Sequence, residues 1–97
     1  MITSFRDAAT KDLHNGLNTK DARRRFPRDL WNVMRRKLAL LDAAATLDAL
    51  GAVPGNRLES LKHTKPGYYS LRVNDRFRLT FRFEGGHAVD VSCEDYH

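Results

Sequence analysis

The spacing of apolar residues changes period once along this chain, and that change limits what it can fold into. Leu30, Val33, Met34, Leu38, Leu41 and Ala45 recur at helical spacing, with Arg28, Asn32, Arg35 and Ala39 on the opposite side. From Tyr69 onward the period is two. Tyr69, Leu71 and Val73 alternate with Ser70 and Arg72; Phe77, Leu79, Phe81 and Phe83 alternate with Arg78, Thr80 and Arg82; Val89, Val91 and Cys93 alternate with Asp90 and Ser92. Asn74-Asp75-Arg76 and Glu84-Gly85-Gly86-His87 have turn composition between these runs. Such a helix offers one apolar stripe and three such strands offer one apolar face, so each can bury the other. The expected class is α+β, a small antiparallel sheet with helices packed on one face and the other face wet.

Other elements follow from local signals. Met1 to Phe5 suits a short edge strand, and Asp7 to Leu13 a short helix closed near Asn15-Gly16. Asn18 or Thr19 suits a helix cap, as does Thr46 for a final turn through Leu50. Pro27 suits the first turn of the long helix, where its missing N–H costs nothing. A length of 97 residues predicts a single domain over 1–97. Cys93 is the only cysteine, so no intrachain disulfide is available; its apolar strand position favours a core thiol over a nucleophile. No stretch is long and apolar enough to span a bilayer, and the expected location is cytoplasmic, with no membrane partner.

The alternation also predicts register. With Val73 opposite Phe77, Leu71 meets Leu79 and Tyr69 meets Phe81, apolar against apolar. The same register sets Arg72 across from Arg78 on the wet face, a like-charge pair that a purely structural sheet has little reason to accept. In the next hairpin, Phe83 opposite Val89 gives Phe81–Val91 and Leu79–Cys93. It sets Arg82 across from Asp90, Arg78 across from Glu94, and Arg76 near Tyr96. Arg82 then reads as a salt-bridge partner and Arg78 as the better functional candidate.

The charge balance is basic, 17 Lys and Arg against 12 Asp and Glu, a net charge of +5. An anionic partner is expected: nucleic acid, the ribosome, a membrane surface or an acidic protein. Arg23, Arg24 and Arg25 lie in a dense basic run, either a phosphate-backbone footprint or a solvated helix face. Lys62, His63 and Lys65 lie in a turn-rich loop and suit phosphate contact or proton transfer, or simple exposure. No cofactor is expected. The histidines are scattered, none stands at a ligand spacing with Cys93, and no Gly-rich phosphate loop is present.

The chain closes with Glu94-Asp95-Tyr96-His97. Carboxylates, a phenol and an imidazole are groups that move or hold protons. Arg72, Arg76 and Arg78 are cations suited to gripping phosphate. Cations beside a proton shuttle are what RNA cleavage needs; a frayed polar terminus is the alternative.

Asn56-Arg57-Leu58-Glu59-Ser60-Leu61-Lys62, Tyr69 to Phe81, and the terminal Glu94-Asp95-Tyr96-His97 resemble the HigB-like toxins of the RelE/ParE superfamily, from type II toxin–antitoxin systems. The resemblance spans the chain and is most specific in its second half. It implies a cytoplasmic toxin that cleaves mRNA in the ribosomal A site by transesterification without a metal. It also implies a helix-turn-helix antitoxin partner of the HigA type, with operator DNA bound only through the antitoxin complex. By position it assigns catalysis to Asp95, Tyr96, His97 and Arg78. Many relatives carry a histidine where this chain has Glu59, which becomes a candidate base in its place, while intrinsic activity is expected to be modest. The competing class is a basic module that binds the ribosome, RNA or the antitoxin without cutting.

Overall fold

The structure, a computed structural model, describes residues 1–96. Four α-helices precede a four-stranded sheet: α1 (Ala8–His14), α2 (Lys20–Arg25), α3 (Trp31–Ala43) and α4 (Leu47–Gly51), then β1 (Glu59–Ser60), β2 (Tyr69–Arg72), β3 (Phe77–Glu84) and β4 (His87–Asp95). The strands form an antiparallel meander in chain order. Three helix starts are capped by side chains that accept an orphan N–H, at Thr19 and Thr46 as the sequence suggests and also at Asp7. Asp7 accepts from Thr10 N at 2.7 Å, Thr19 from Ala22 N at 3.3 Å and Thr46 from Ala49 N at 3.1 Å.

The long helix starts later than its sequence suggests. Pro27 is extended at ψ 134° and precedes a 3-10 turn over Arg28–Leu30; α3 begins only at Trp31. The Trp31 indole N–H donates to Phe26 O at 3.1 Å and anchors this entry. The buried stripe of α3 is Trp31, Met34, Lys37, Leu38 and Leu41. Leu30 and Val33 pack at its margin, and Ala45 lies beyond the helix, exposed. The stripe covers Leu71, Leu79, Phe81, Val91 and Cys93, all fully buried. Each large apolar side chain there contributes about 1.5–3 kcal/mol.

The β2–β3 register is the expected one, with Tyr69 opposite Phe81, Leu71 opposite Leu79 and Arg72 opposite Arg78. The β3–β4 register is as expected only at its far end, where Leu79 meets Cys93 and Arg78 meets Glu94. Near the hairpin Phe83 meets Ala88 rather than Val89, and Arg82 meets Val89 rather than Asp90. The cause is local. Gly85 and Gly86 both have positive φ, so a two-residue turn closes on Glu84 and His87. An extra β4 residue is then absorbed between Thr80 and Arg82, where Asp90 has φ 54°. Ala88 consequently faces the core, fully buried, and Val89 is only half-buried.

The bulge also shapes the N-terminus. Instead of a full edge strand, the first residues make two isolated parallel bridges to β4, Ile2 with Ala88 and Phe5 with Val91. Between them the ladder bond is replaced by a side chain: Asp90 N donates to Ser4 Oγ at 2.9 Å.

Candidate active site

The sheet face away from the helices was expected to be wet, yet its centre is dry. Ser70, Thr80 and Ser92 stand in one cross-strand row and are almost wholly buried. An arginine lies over each hydroxyl. Arg78 Nε donates to Ser70 Oγ at 2.8 Å, Arg6 Nη2 to Thr80 Oγ1 at 2.9 Å, and Arg25 Nη2 approaches Ser92 Oγ at 3.5 Å. The small side chains leave room for the guanidinium groups to come down onto the sheet, and these groups help to cover the hydroxyls from water.

Arg78 is held by more than the Ser70 hydroxyl. Its Nη2 also donates to the Arg57 carbonyl at 2.6 Å, and Arg57 itself has φ 45°. Among the described residues no carboxylate is in ion-pair contact with Arg78. Burial lowers its pKa, with Arg72 and Arg57 adding to the effect and Glu59 and Tyr96 opposing it. A guanidinium stays charged under such pressure and becomes a stronger anion ligand for being partly dry. Glu94 sits opposite Arg78 in the ladder, close enough to neutralise it. Its carboxylate turns instead to Lys65 at 3.3 Å and Arg6 at 3.5 Å.

The other candidates differ in how they are held. Arg76 and Asp95 form an ion pair: Nε lies 2.9 Å from both Asp95 oxygens, and Nη2 lies 2.7 Å from Oδ2. Asp95 holds the Arg76 pKa above its ordinary value, chiefly through these hydrogen bonds. Arg72 pairs with the exposed Asp75 at 2.5 Å. Tyr96 is 39% exposed, and its N–H donates to Arg76 O. Burial raises the phenol pKa, with Glu94 adding to the rise and Arg78 and Arg6 opposing it. His97 lies outside the described residues.

Glu59 is exposed on β1, opposite Ser70, two strands from the Thr80 row position. Lys62 and His63 lie exposed in the turn before β2, while Lys65 at its end reaches Glu94. The basic run of α2 is not one surface. Arg25 is pinned to Asp7 at 3.1 Å and to Cys93 O at 3.1 Å, and Arg23 binds Asn18, whereas Arg24 is exposed.

Arg6 and Arg57 belong to the site but were not singled out from sequence. Neither lies in a basic cluster or an alternating run. Arg6 arrives because the N-terminal segment runs along β4, and Arg57 contributes its backbone rather than its charge. Asn56, next to it, is fully buried. It accepts from Lys37 Nζ at 2.5 Å, donates to Leu50 O at 3.0 Å, and takes Arg72 N on its carbonyl at 2.7 Å. This network fixes the loop that carries Arg57. Lys37 has a lowered pKa, chiefly from desolvation, then from Arg36 and Arg72.

The relationships of the chain agree with this geometry. The family model described as RelE-like toxin of type II toxin-antitoxin system HigB matches residues 3–97. Toxin HigB-1 of Vibrio cholerae serotype O1 is 41% identical over 73 residues, covering 75% of this chain and 77% of that protein. Endoribonuclease HigB of Proteus vulgaris is 42% identical over 41 residues, 42% of this chain and 45% of that protein. The YoeB-YefM complex from Staphylococcus aureus contains a chain that superimposes with a TM-score of 0.61 at 20% identity, covering 100% of this chain and 98% of that one. At that identity the likeness speaks to the fold alone. The helices over a four-stranded antiparallel sheet are thus the RelE-like arrangement, and the chain belongs to the HigB-like family of type II toxin–antitoxin toxins.

Proposed function

We propose that this chain is a single-domain endoribonuclease toxin, spanning 1–97, that cleaves mRNA on the 70S ribosome and so blocks translation. The observation that carries the reading is Arg78, half-dry and in ion-pair contact with no described carboxylate, beside Tyr96 in a chain of this family. The Proteus vulgaris relative is named an endoribonuclease.

The reaction is a transesterification. The RNA 2′-oxygen attacks the adjacent phosphorus, the bond to the 5′-oxygen breaks, and a 2′,3′-cyclic phosphate and a 5′-hydroxyl result. One group accepts the 2′ proton and another donates to the leaving oxygen. His97 has the side chain matched to neutral pH. Tyr96, with its pKa raised, stays a neutral phenol there and serves as a hydrogen-bond donor or stacking partner. Arg78, assisted by Arg72, stabilises the crowded phosphorane. Asp95, clasped by Arg76, orients the terminus more readily than it abstracts a proton. Lys62, His63, Lys65 and the exposed Arg24 are the outer phosphate contacts. The partner is a helix-turn-helix antitoxin, through which alone the complex meets operator DNA. The ribosome places the activity in the cytoplasm. No helix among the described residues is long and apolar enough to cross a membrane.

The second reading is a non-cleaving binder. It is favoured by Glu59, an exposed carboxylate at a place where the family resemblance implies a histidine. Mapping mRNA 5′ ends after induction, with the full chain and with His97 removed, separates the two. New 5′ ends that vanish on truncation support the nuclease. A translation block without new 5′ ends would leave only the binder.

A further inference from the structure

Glu94 Oε1 is approached by two cations at once, Lys65 Nζ at 3.3 Å and Arg6 Nη2 at 3.5 Å. Both stand against the Tyr68 ring, 5.4 and 5.5 Å from its centroid. Tyr68 is fixed from the other end, its hydroxyl donating to Asp90 Oδ2 at 3.2 Å. Arg6 is fixed again by Thr80 Oγ1. The two cationic heads are therefore preset by an aromatic platform and a buried hydroxyl, and they converge on one oxygen. The other oxygen of that carboxylate is a poor resident: Oε2 is buried and meets no hydrogen-bond donor among the described residues.

Two positive charges face one negative charge here, and the next cation, Arg78, lies across the ladder from Glu94 at about 5 Å between backbones. We infer that Arg6 and Lys65, held on Tyr68, form a second anion subsite for an RNA phosphodiester next to the one gripped by Arg78, and that the Glu94 carboxylate occupies this subsite until RNA enters. A phosphodiester carries one charge on two non-bridging oxygens, so it can satisfy both cations where Glu94 offers one oxygen. Successive phosphates of one strand then use Arg78 and the Arg6–Lys65 pair in turn. The inference rests on the ribonuclease reading for its ligand, yet it concerns binding rather than cutting.

The test uses the full chain and a short single-stranded RNA with 2′-O-methyl groups, which cannot be cleaved. Its affinity is measured against salt concentration. Lys65→Ala and Arg6→Gln should each reduce the slope of log affinity against log salt by about 0.7. Arg6→Gln keeps an N–H for Thr80, and melting curves confirm folding of each variant. Glu94→Gln removes the resident charge and should raise affinity several-fold. Unchanged slopes for both cation variants, weaker binding by a folded Glu94→Gln protein, or no measurable binding by the parent chain would each overturn the inference. So would a loss of antitoxin binding in Arg6→Gln with RNA binding intact, which would assign the cluster to an acidic protein segment. A parent chain that cleaves mRNA on ribosomes while the slopes stay unchanged retires the subsite and leaves the nuclease standing. Shifted slopes without any cleavage would do the reverse.

Discussion

Single residues on the polar sheet face do one of two jobs. Arg25 and Arg76 spend their charge on carboxylates of the fold, whereas Arg78 is held by neutral acceptors and is in ion-pair contact with no described carboxylate, as the proposed phosphate-binding role requires. Arg78→Ala should therefore lower ribosome-dependent cleavage at least tenfold. It should cost about 1–3 kcal/mol of stability, the order expected for lost charged hydrogen bonds. Cleavage rate and thermal midpoint measured on one preparation decide this; a core-sized drop in the midpoint would make Arg78 structural. Cys93 gives a pH prediction. Burial pushes its thiol up to about 12 from 9.0, so the folded chain keeps a proton that the unfolded chain loses. This contribution is fully present below pH 9 and is lost as pH rises toward 12, by at most about 1.4 kcal/mol per unit. Cys93→Ala should flatten the alkaline limb of a stability–pH curve recorded by denaturant titration.

At the scale of elements, α2 shows why a basic run is not one surface. A helical turn advances about 100° per residue, so three consecutive arginines cannot share a neighbour. Arg25 reaches back to Asp7 and over to the β4 backbone, while Arg24 is exposed on the helix. Arg25→Ala should destabilise the protein by about 1–3 kcal/mol, since it strips charged hydrogen bonds from Asp7 and Cys93 O. Arg24→Ala should stay within about 0.5 kcal/mol. For a domain of this size the first change lowers the melting temperature by at least about 4 °C and the second by far less. Equal shifts for the two would contradict the division. The β4 bulge works at the same scale. One residue in left-handed conformation moves Ala88 to the core, presents Asp90 to Arg82, Tyr68 and Ser4, and interrupts N-terminal pairing.

Across the whole molecule, the sheet lies between an apolar helix layer and a layer of arginine and lysine stems. The N-terminal segment joins them, covering part of the β4 edge and delivering Arg6 to the polar face. Deleting residues 1–6 should uncover the unpaired N–H and C=O groups of β4, a ready template for edge-to-edge association. The shortened chain should melt earlier and form concentration-dependent oligomers in sedimentation experiments. A shortened chain that stays monomeric with an unchanged midpoint would show that the segment is not needed to protect that edge.

The sequence alone was enough for the class of fold, the helix caps at Thr19 (there sharing the assignment with Asn18) and Thr46, the β2–β3 register and the salt bridge of Arg82 with Asp90. These depend on periodicity and on contacts a few residues apart, which local steric and hydrophobic rules control. Resemblance in Tyr69–Phe81 and the tail added the family. The rest depended on tertiary structure. Glycines at positive φ set the hairpin register and forced a bulge that strict alternation could not foresee. The late start of α3 follows from Phe26 and Trp31 meeting across Pro27. Lys37 sits on the apolar stripe because Asn56, 19 residues away, supplies a buried acceptor. Arg6 joins Glu94 only because the first and last parts of the chain lie side by side. Charge partners are chosen by distance in space. Spacing along the chain names the candidates but cannot say which carboxylate each arginine will reach once the strands have closed.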